Sequence, residues 1–175
     1  MTNLPQGIVV QVASEFSGIE IRPAELTRLV KTVCKRFGLS RATVSIGVVD
    51  DARFCELNRR FLNRDSTSDC LSFNLSEQTT PQSPPFYELV VNGQRALEQA
   101  KLRDLCPRAE LALYVTHGLL HNFGFNDATE KQAEIMHRTE DEILQELGYG
   151  LVYNKPVKRV RRGPRRASDT PTSEQ

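Results

Sequence analysis

The chain has 175 residues, of which 39% are hydrophobic and 26% charged, and its formal net charge is +1 at neutral pH. This composition is typical of one soluble globular domain and excludes a disordered or collagen-like chain. No segment approaches the roughly 20 apolar residues that a membrane-spanning helix needs, so we expect no membrane partner.

The first half of the chain alternates between strand-like and helix-like segments. Residues 7–12 are predicted to form a strand, continued at residues 19–21 after the polar stretch SEFSG. A helix is expected to begin at Pro23 and to end at Gly38. Further segments are predicted in this order: a strand at 43–49, a helix capped by Asp50 or Asp51, and a strand at 71–75.

The second half begins with SEQTTPQSPP, residues 76–85, which we interpret as a mobile surface loop. A strand at 88–91 and a short helix at 94–101 follow. A helix at 107–122 and a final helix, capped by Thr129 with Gln132 and ending before Gly148, complete the pattern. This order predicts an α+β, or α/β-like, single domain in which about four strands form a mixed sheet packed with four to five helices.

The segment YVTHGLLHNFGFND, residues 114–127, contains two of the three histidines. His117 and His121 are four residues apart, which on an α-helix places both imidazoles on one face, within reach of a single metal ion. Gly124 can end the helix by adopting positive φ, so that the chain turns back. Asp127 is the first strong ligand that this turn delivers. Two imidazoles and a carboxylate with a fourth position open are typical of a catalytic zinc site.

Gly118 lies between the two histidines, in HGLLH. A glycine within a helix costs about 1 kcal/mol relative to alanine, so we expect its missing side chain to have a use. We interpret it as room for substrate beside the metal. Gly118 also argues against a peptidase of the HExxH type, because it occupies the place of the glutamate that acts there as general base.

The run HGLLHNFGFND is similar to the HGxLHLxGYDH signature of the YbeY family of zinc-dependent bacterial endoribonucleases. Upstream, LNRRFLNRDSTSDCLSF, residues 57–73, resembles the family segment LNxxYRxxDxxTDVLSF. Met136 falls where the family carries a methionine in its last helix, and Glu88 falls where an acidic residue precedes its next strand. These segments follow one another in the family's order between residues 52 and 147. The resemblance implies the fold predicted above, one Zn²⁺ ion and an RNA substrate.

The third metal ligand is the first departure from the family pattern. The family has a histidine where this chain has Asp127. His137, ten residues further on, is the alternative if the final helix folds back tightly. We favour Asp127. A negative ligand in place of a neutral one makes bound water less acidic but does not abolish the chemistry, as enzymes with two histidines and a glutamate demonstrate.

The second departure is Leu62, where the resemblance implies a catalytic arginine. Arg59 lies three residues earlier and is able to share a helical face with that position. Arg60 is predicted as a second catalytic residue, and Arg64 is a further option. Arginines suit this role because their guanidinium groups hold a phosphate through two parallel hydrogen bonds.

Two acidic residues are predicted to support the site. Asp69 lies in the loop before a strand, and Glu88 lies at the start of the next one. Either carboxylate is able to orient a ligand histidine or to accept a proton. Either one is equally able to cap or pair within the fold. We predict Asp69 as the catalytic residue of the two.

The carboxyl-terminal segment differs in composition from the rest of the chain. Residues 155–175, KPVKRVRRGPRRASDTPTSEQ, contain seven basic residues against two acidic ones, a net charge of +5 that leaves −4 for the remainder. Such a segment has too few apolar residues to form a core. We therefore predict a YbeY-like metallohydrolase domain at 1–150 and a basic disordered tail at 151–175. Flexible cations attract RNA phosphates independently of sequence, and a generic solubilising tail is the alternative.

The functional hypothesis combines these features. The resemblance implies a cytoplasmic, single-strand-specific endoribonuclease in ribosomal RNA maturation, including processing of the 16S rRNA 3′ end, and in ribosome quality control. Ribosomal RNA, the ribosomal subunit, and ribosomal or GTPase assembly proteins are the expected partners. Four cysteines without CxxC spacing fit reduced thiols in a cytoplasmic protein. The alternatives are a non-catalytic, metal-containing ribosome-assembly or RNA-binding factor and a zinc hydrolase with a small-molecule substrate.

Overall fold

Alternating apolar residues form the strands of this protein, and amphipathic stretches form most of its helices. The computed structural model describes residues 7–76 and 83–155. In chain order, its elements are β1 (Ile8–Ser14), α1 (Pro23–Arg36), β2 (Ala42–Val49), α2 (Asp51–Leu62), β3 (Cys70–Asn74), β4 (Phe86–Asn92), α3 (Gly93–Leu102), α4 (Pro107–Asn122) and α5 (Glu130–Glu146). Four strands and five helices in the described residues confirm the predicted α+β domain.

The sheet has the strand order β1-β2-β4-β3. β1 and β2 are parallel, as are β2 and β4, whereas β3 is antiparallel to β4. The sheet is therefore mixed, as predicted. In the parallel part, Ile46 of β2 lies opposite Val12 of β1 and Leu89 of β4, so these three side chains point to the same face.

That face carries the main core, to which α1 and α4 contribute most of the helical side chains. α4 is buried almost all round, because α1, α3, α5 and the sheet all contact it. α5 packs against α4 through Met136, Ile143 and Leu144, none of which is exposed to solvent. α2 covers the opposite face, where Phe54 packs with Val49 and Leu71. The sequence between the two histidines is thus fixed in the centre of the molecule.

The predicted continuation of the first strand at residues 19–21 is wrong. β1 ends at Ser14, whose partner in the parallel register is Val48, next to the last residue of β2. Only Val49 of β2 lies beyond that partner, so β2 offers no pairing partner for residues 19–21. Ile19 instead lies in the connection to α1 and is buried in the main core.

Residues 151–155 were predicted to belong to the tail, but they are hydrogen-bonded to the domain. The buried carboxylate of Asp141 accepts hydrogen bonds from the backbone nitrogens of Val152, Tyr153 and Asn154, at 2.9, 2.9 and 3.0 Å. Val152 is fully buried. The remainder of the predicted tail, 156–175, and residues 77–82 of the predicted loop lie outside the described residues. In the described part of the chain, no helix is both long and apolar enough to cross a membrane.

Candidate metal centre

The two histidines of α4 project from adjacent turns on the same side of the helix, as their spacing predicts. Nε2 of His117 lies 3.1 Å from Nε2 of His121. Their side chains are 20% and 33% exposed, so both imidazoles reach the surface from a buried helix. The two nitrogens that face each other are therefore open to one ion from solvent.

The turn after α4 brings Asp127 beside this pair. Gly124 has a φ of +87°, and the backbone nitrogen of Phe125 donates to the carbonyl of Leu120 at 3.0 Å, which closes the turn. The Asp127 carboxylate oxygens lie 3.8 Å from Nε2 of His117 and 4.0 Å from Nε2 of His121.

These three separations test whether an ion fits between the donors. Ligands at 2.0–2.2 Å from one tetrahedral Zn²⁺ lie about 3.3–3.5 Å apart. The observed 3.1, 3.8 and 4.0 Å lie close to that value. Since Asp127 is 43% exposed, its carboxylate has room to adjust. Two imidazoles and a carboxylate also match the donor set of a zinc site with an open position.

The other nitrogen of each imidazole has a hydrogen-bond partner within the protein. Nδ1 of His117 lies 2.7 Å from the carboxylate of Glu140, and Nδ1 of His121 lies 3.1 Å from the carbonyl of Phe125. Both partners accept, so both rings carry their proton on Nδ1 and direct the lone pair of Nε2 toward Asp127. Such partners fix the orientation of a metal-binding imidazole and raise its basicity.

The electrostatic environment of His117 also favours a cation. Burial lowers the pKa of His117, but the hydrogen bond to Glu140 and the negative charges of Glu140, Asp127 and Asp69 outweigh burial and raise this pKa above its ordinary value. Because the same charges act on any cation at this position, they favour a bound metal ion as well as a proton.

A cavity of about 550 Å³ opens beside His117 and Asp127. Its walls come from the loop before β3, from α3, α4, α5 and from the segment after α5. The polar lining residues are Asp69, Arg95, Gln99, Arg103, Glu110, Tyr114, His117, Asp127, His137, Glu140 and Tyr153. An open cavity of this size beside a metal-binding triad is suited to a substrate.

Comparison with known proteins identifies the family. A family model described as endoribonuclease YbeY matches residues 11–148. The chain belongs to the YbeY endoribonuclease family. Membership confirms the resemblance and the predicted class of activity, an endonuclease that hydrolyses RNA phosphodiester bonds.

Individual YbeY relatives match most of the chain. The endoribonuclease YbeY of Protochlamydia amoebophila is 32% identical over 144 residues, which are 79% of this chain and 96% of the relative. That of Azorhizobium caulinodans is 35% identical over 119 residues, 66% of this chain and 74% of the relative. The solution structure of TM1509 from Thermotoga maritima has a TM-score of 0.55 and 22% identity, covering 79% of this chain and 89% of that one, and shows the same fold.

The three residues predicted to be catalytic in this YbeY chain lie in different places. Asp69 lines the cavity and accepts a hydrogen bond from Nε of Arg95 at 2.6 Å. Arg59 and Arg60 lie at the exposed end of α2 and do not line the cavity. Arg59 pairs with Asp65, and the guanidinium of Arg60 lies 5.6 Å from the ring centre of Phe61.

Two arginines of the described residues line the cavity: Arg95, in α3, and Arg103, which caps the carboxyl-terminal end of α3. Neither was predicted from the sequence. Nothing in the motif around the histidines refers to α3. The packing of α3 on α4 brings these side chains to the site, and periodicity along one segment does not reveal such packing.

Glu140 was also missed, although the sequence contains a signal for it. On α5 it lies four residues after Met136 and three before Ile143, which places a carboxylate on the buried stripe of the helix. A charged residue on a buried stripe needs a partner. His117 and His137 are its partners, at 2.7 and 2.8 Å.

His137 and Glu88 contribute differently from what the sequence suggested. His137 lines the cavity, stacks on Tyr153 with ring centres 3.5 Å apart, and bonds to Glu140 through Nδ1. Leu89 contacts the Gly118 position, so its face of the sheet is the one toward α4. Glu88 points to the opposite face, because the side chains of successive strand residues alternate between the two faces. The suggestion that Glu88 orients a ligand histidine is therefore wrong.

The interpretation of Gly118 as room for substrate is also wrong. A Cβ at this position would lie 2.7 Å from Sγ of Cys70 and 3.1 Å from Cδ2 of Leu89. The hydroxyl of Ser72 also donates to the Gly118 carbonyl at 2.8 Å. The missing side chain thus allows α4 to approach β3 and β4 closely, beneath the histidines.

Proposed function

We propose that this chain is a zinc-dependent, single-strand-specific endoribonuclease in which His117, His121 and Asp127 hold one Zn²⁺. The observation that carries the proposal is the convergence of three donor groups whose imidazoles are already oriented by Glu140 and the Phe125 carbonyl. Asp127 is preferred to His137 as the third ligand, because its carboxylate lies within 4.0 Å of Nε2 of both His117 and His121, whereas His137 lies in a separate group with His117 and Glu140.

When bound, Zn²⁺ supplies an acidified water and polarises a phosphoryl oxygen. The protein's own residues prepare the site for this chemistry. Glu140 keeps Nδ1 of His117 protonated and stabilises positive charge on the ring, while Asp127 reduces the net charge of the centre. Tyr153, stacked on His137, forms part of one wall of the cavity.

We place this activity in ribosomal RNA maturation, with the 16S rRNA 3′ end as substrate, and in ribosome quality control. The expected partners are ribosomal RNA, the ribosomal subunit and ribosomal or GTPase assembly proteins in the cytoplasm. Support comes from membership of the YbeY family, from an RNA substrate for that family, and from the six basic residues within 156–175. A basic segment adds attraction to RNA phosphates.

The test uses untagged full-length protein that has been stripped of metal and reloaded with Zn²⁺. Labelled RNA is presented as a single strand and as a duplex of the same sequence. We expect cleavage of the single strand only, and loss of cleavage both without metal and in His121→Ala. Equal cleavage by the metal-free protein would exclude zinc chemistry. RNA binding without metal-dependent cleavage would favour the assembly-factor alternative.

A further inference from the structure

Arg95 and Asp69 form an ion pair on the wall of the site cavity. Arg95 lies in the first turn of α3, and Asp69 immediately precedes β3. Nε of Arg95 lies 2.6 Å from a carboxylate oxygen of Asp69, and their side chains are 39% and 44% exposed. The pair is therefore partly solvent-facing and lies in the same cavity as His117 and Asp127.

We propose that Arg95 binds a phosphate of the RNA backbone in this cavity, and that Asp69 is the positioning residue that orients its guanidinium. This inference rests on the proposed function and adds the residue that holds the substrate. It also gives Asp69 a role through Arg95, in place of direct proton transfer or orientation of a ligand histidine.

The hydrogen bond to Asp69 leaves the two terminal nitrogens of the Arg95 guanidinium available to a phosphate. Only Nε is used by Asp69, and within residues 7–76 and 83–155 the two terminal nitrogens donate no hydrogen bond. Two parallel donors in one plane match two phosphate oxygens. Because Asp69 already fixes that plane, less side-chain entropy is lost when a phosphate binds.

Arg103, the other arginine in the cavity, is already occupied. Its Nη1 donates to both carboxylate oxygens of Glu110 at 3.2 and 3.0 Å, and its Nη2 donates to the carbonyls of Val152 and Tyr153. Its side chain is 24% exposed. Arg103 therefore ties the end of the domain to α4, whereas Arg95 retains donors for a ligand.

The acidic lining of the cavity favours such a residue beside the proposed Zn²⁺. Asp69, Glu110, Asp127 and Glu140 all line it, and an RNA phosphodiester is itself negative. Like charges in a partly buried site repel each other, and both the proposed Zn²⁺ and an arginine reduce that repulsion. Among the lining residues, Arg95 is the permanent cation that combines exposure with unused donors.

The first experiment compares Arg95→Ala and Arg95→Lys with Arg53→Ala, a matched arginine outside the cavity that is 40% exposed and pairs with Glu56. Zinc-loaded proteins are assayed for kcat/KM on a labelled single-stranded RNA, and zinc content and thermal stability are measured in parallel. We expect Arg95→Ala to lose about ten- to a hundredfold in kcat/KM with zinc content unchanged. Arg95→Lys should have an intermediate kcat/KM, because lysine keeps the positive charge but lacks the parallel donors of the guanidinium. Arg53→Ala should stay within about twofold of wild type.

The second experiment measures binding of the same RNA by fluorescence anisotropy in EDTA, where zinc chemistry plays no part. Arg95→Ala should bind more weakly, with a salt slope lower by about one. If Asp69 acts through Arg95, Asp69→Asn should weaken RNA binding by the wild-type protein. In the Arg95→Ala background, the same substitution should weaken RNA binding by less than about twofold further.

The outcomes separate this inference from the proposed function. Wild-type protein without metal-dependent cleavage would contradict the proposed function, and the anisotropy data would still decide the role of Arg95. Unchanged affinity and unchanged kcat/KM in Arg95→Ala would overturn the inference while leaving the zinc centre intact. An equal loss in Arg53→Ala would also overturn it, because the effect would then be one of general surface charge.

Discussion

The carboxylate of Glu140, fully buried on α5, lies 2.7 Å from Nδ1 of His117 on α4. Its second oxygen lies 2.8 Å from Nδ1 of His137. One carboxylate thus fixes two imidazoles and joins the last helix to the helix of the metal centre. The orientation of His117 therefore depends on α5, which contributes none of the three proposed ligands.

Glu140→Gln is expected to weaken metal binding by about ten- to a hundredfold. The neutral amide keeps the size of the side chain but removes the charge that raises the basicity of His117. Competition against a chromophoric chelator measures this affinity. Glu142→Gln is the matched control, because Glu142 lies on the same helix but is 48% exposed and pairs with Arg36. Similar affinities in the two variants would mean that Glu140 has only a structural role.

Gly118→Ala is expected to reduce the free energy of unfolding by about 1–3 kcal/mol, the usual cost of overpacking. The new methyl group would meet Cys70 and Leu89, and this clash exceeds the helix propensity that alanine gains. Urea unfolding measures the change. Cys70→Ala removes the nearest atom, so the double variant should recover part of the loss relative to Cys70→Ala alone. Normal stability with reduced RNA cleavage would instead restore the interpretation of Gly118 as room for substrate.

Asp51 should contribute to stability in a pH-dependent manner. Hydrogen bonds from Thr67 and Asn92 lower the pKa of Asp51 below its ordinary value of 3.8. The contribution of Asp51 to the free energy of unfolding is therefore complete at pH values above 3.8 and is lost as the pH falls through the lowered pKa. Melting temperatures between about pH 5 and pH 3 should fall more steeply in wild type than in Asp51→Asn at equal metal content. Parallel curves for the two proteins would exclude this contribution.

Deleting residues 156–175 is expected to reduce the salt dependence of RNA binding, because it removes six basic residues. Cleavage of a short single strand at low salt should persist, since the proposed zinc ligands and Arg95 all remain. Anisotropy titrations at several salt concentrations give the slope. A variant with the six basic residues replaced by serine separates charge from length. An unchanged slope in both variants would exclude a contribution of this segment to RNA binding.

The sequence predicted the fold well because its local signals agree with the tertiary structure. Pro107 and Gly124 define α4 even though that helix is buried almost all round and has no clear amphipathic stripe. The alternation of Val44, Ile46 and Val48 similarly defines β2 and its core face. The extra strand at residues 19–21 failed because the length of a strand depends on its neighbour, which local composition does not encode.

The site was only partly predictable for the same reason. The spacing of His117 and His121 is a local property of one helix, and the turn that delivers Asp127 is local as well. The position of Arg95 depends on how α3 packs against α4, and Glu140 is one of six acidic residues on α5. Their contacts arise from tertiary packing, so motif spacing alone did not distinguish them from exposed charges such as Arg59 and Arg60.

The proposed zinc centre is tested most directly by elemental analysis of the untagged full-length protein purified without added metal. We expect about one zinc ion per chain, held by three protein ligands, in wild type and in His137→Ala, and a large loss of zinc in His121→Ala and Asp127→Ala. Wild-type protein without stoichiometric metal would contradict the account. So would an Asp127→Ala protein that retains zinc while His137→Ala loses it.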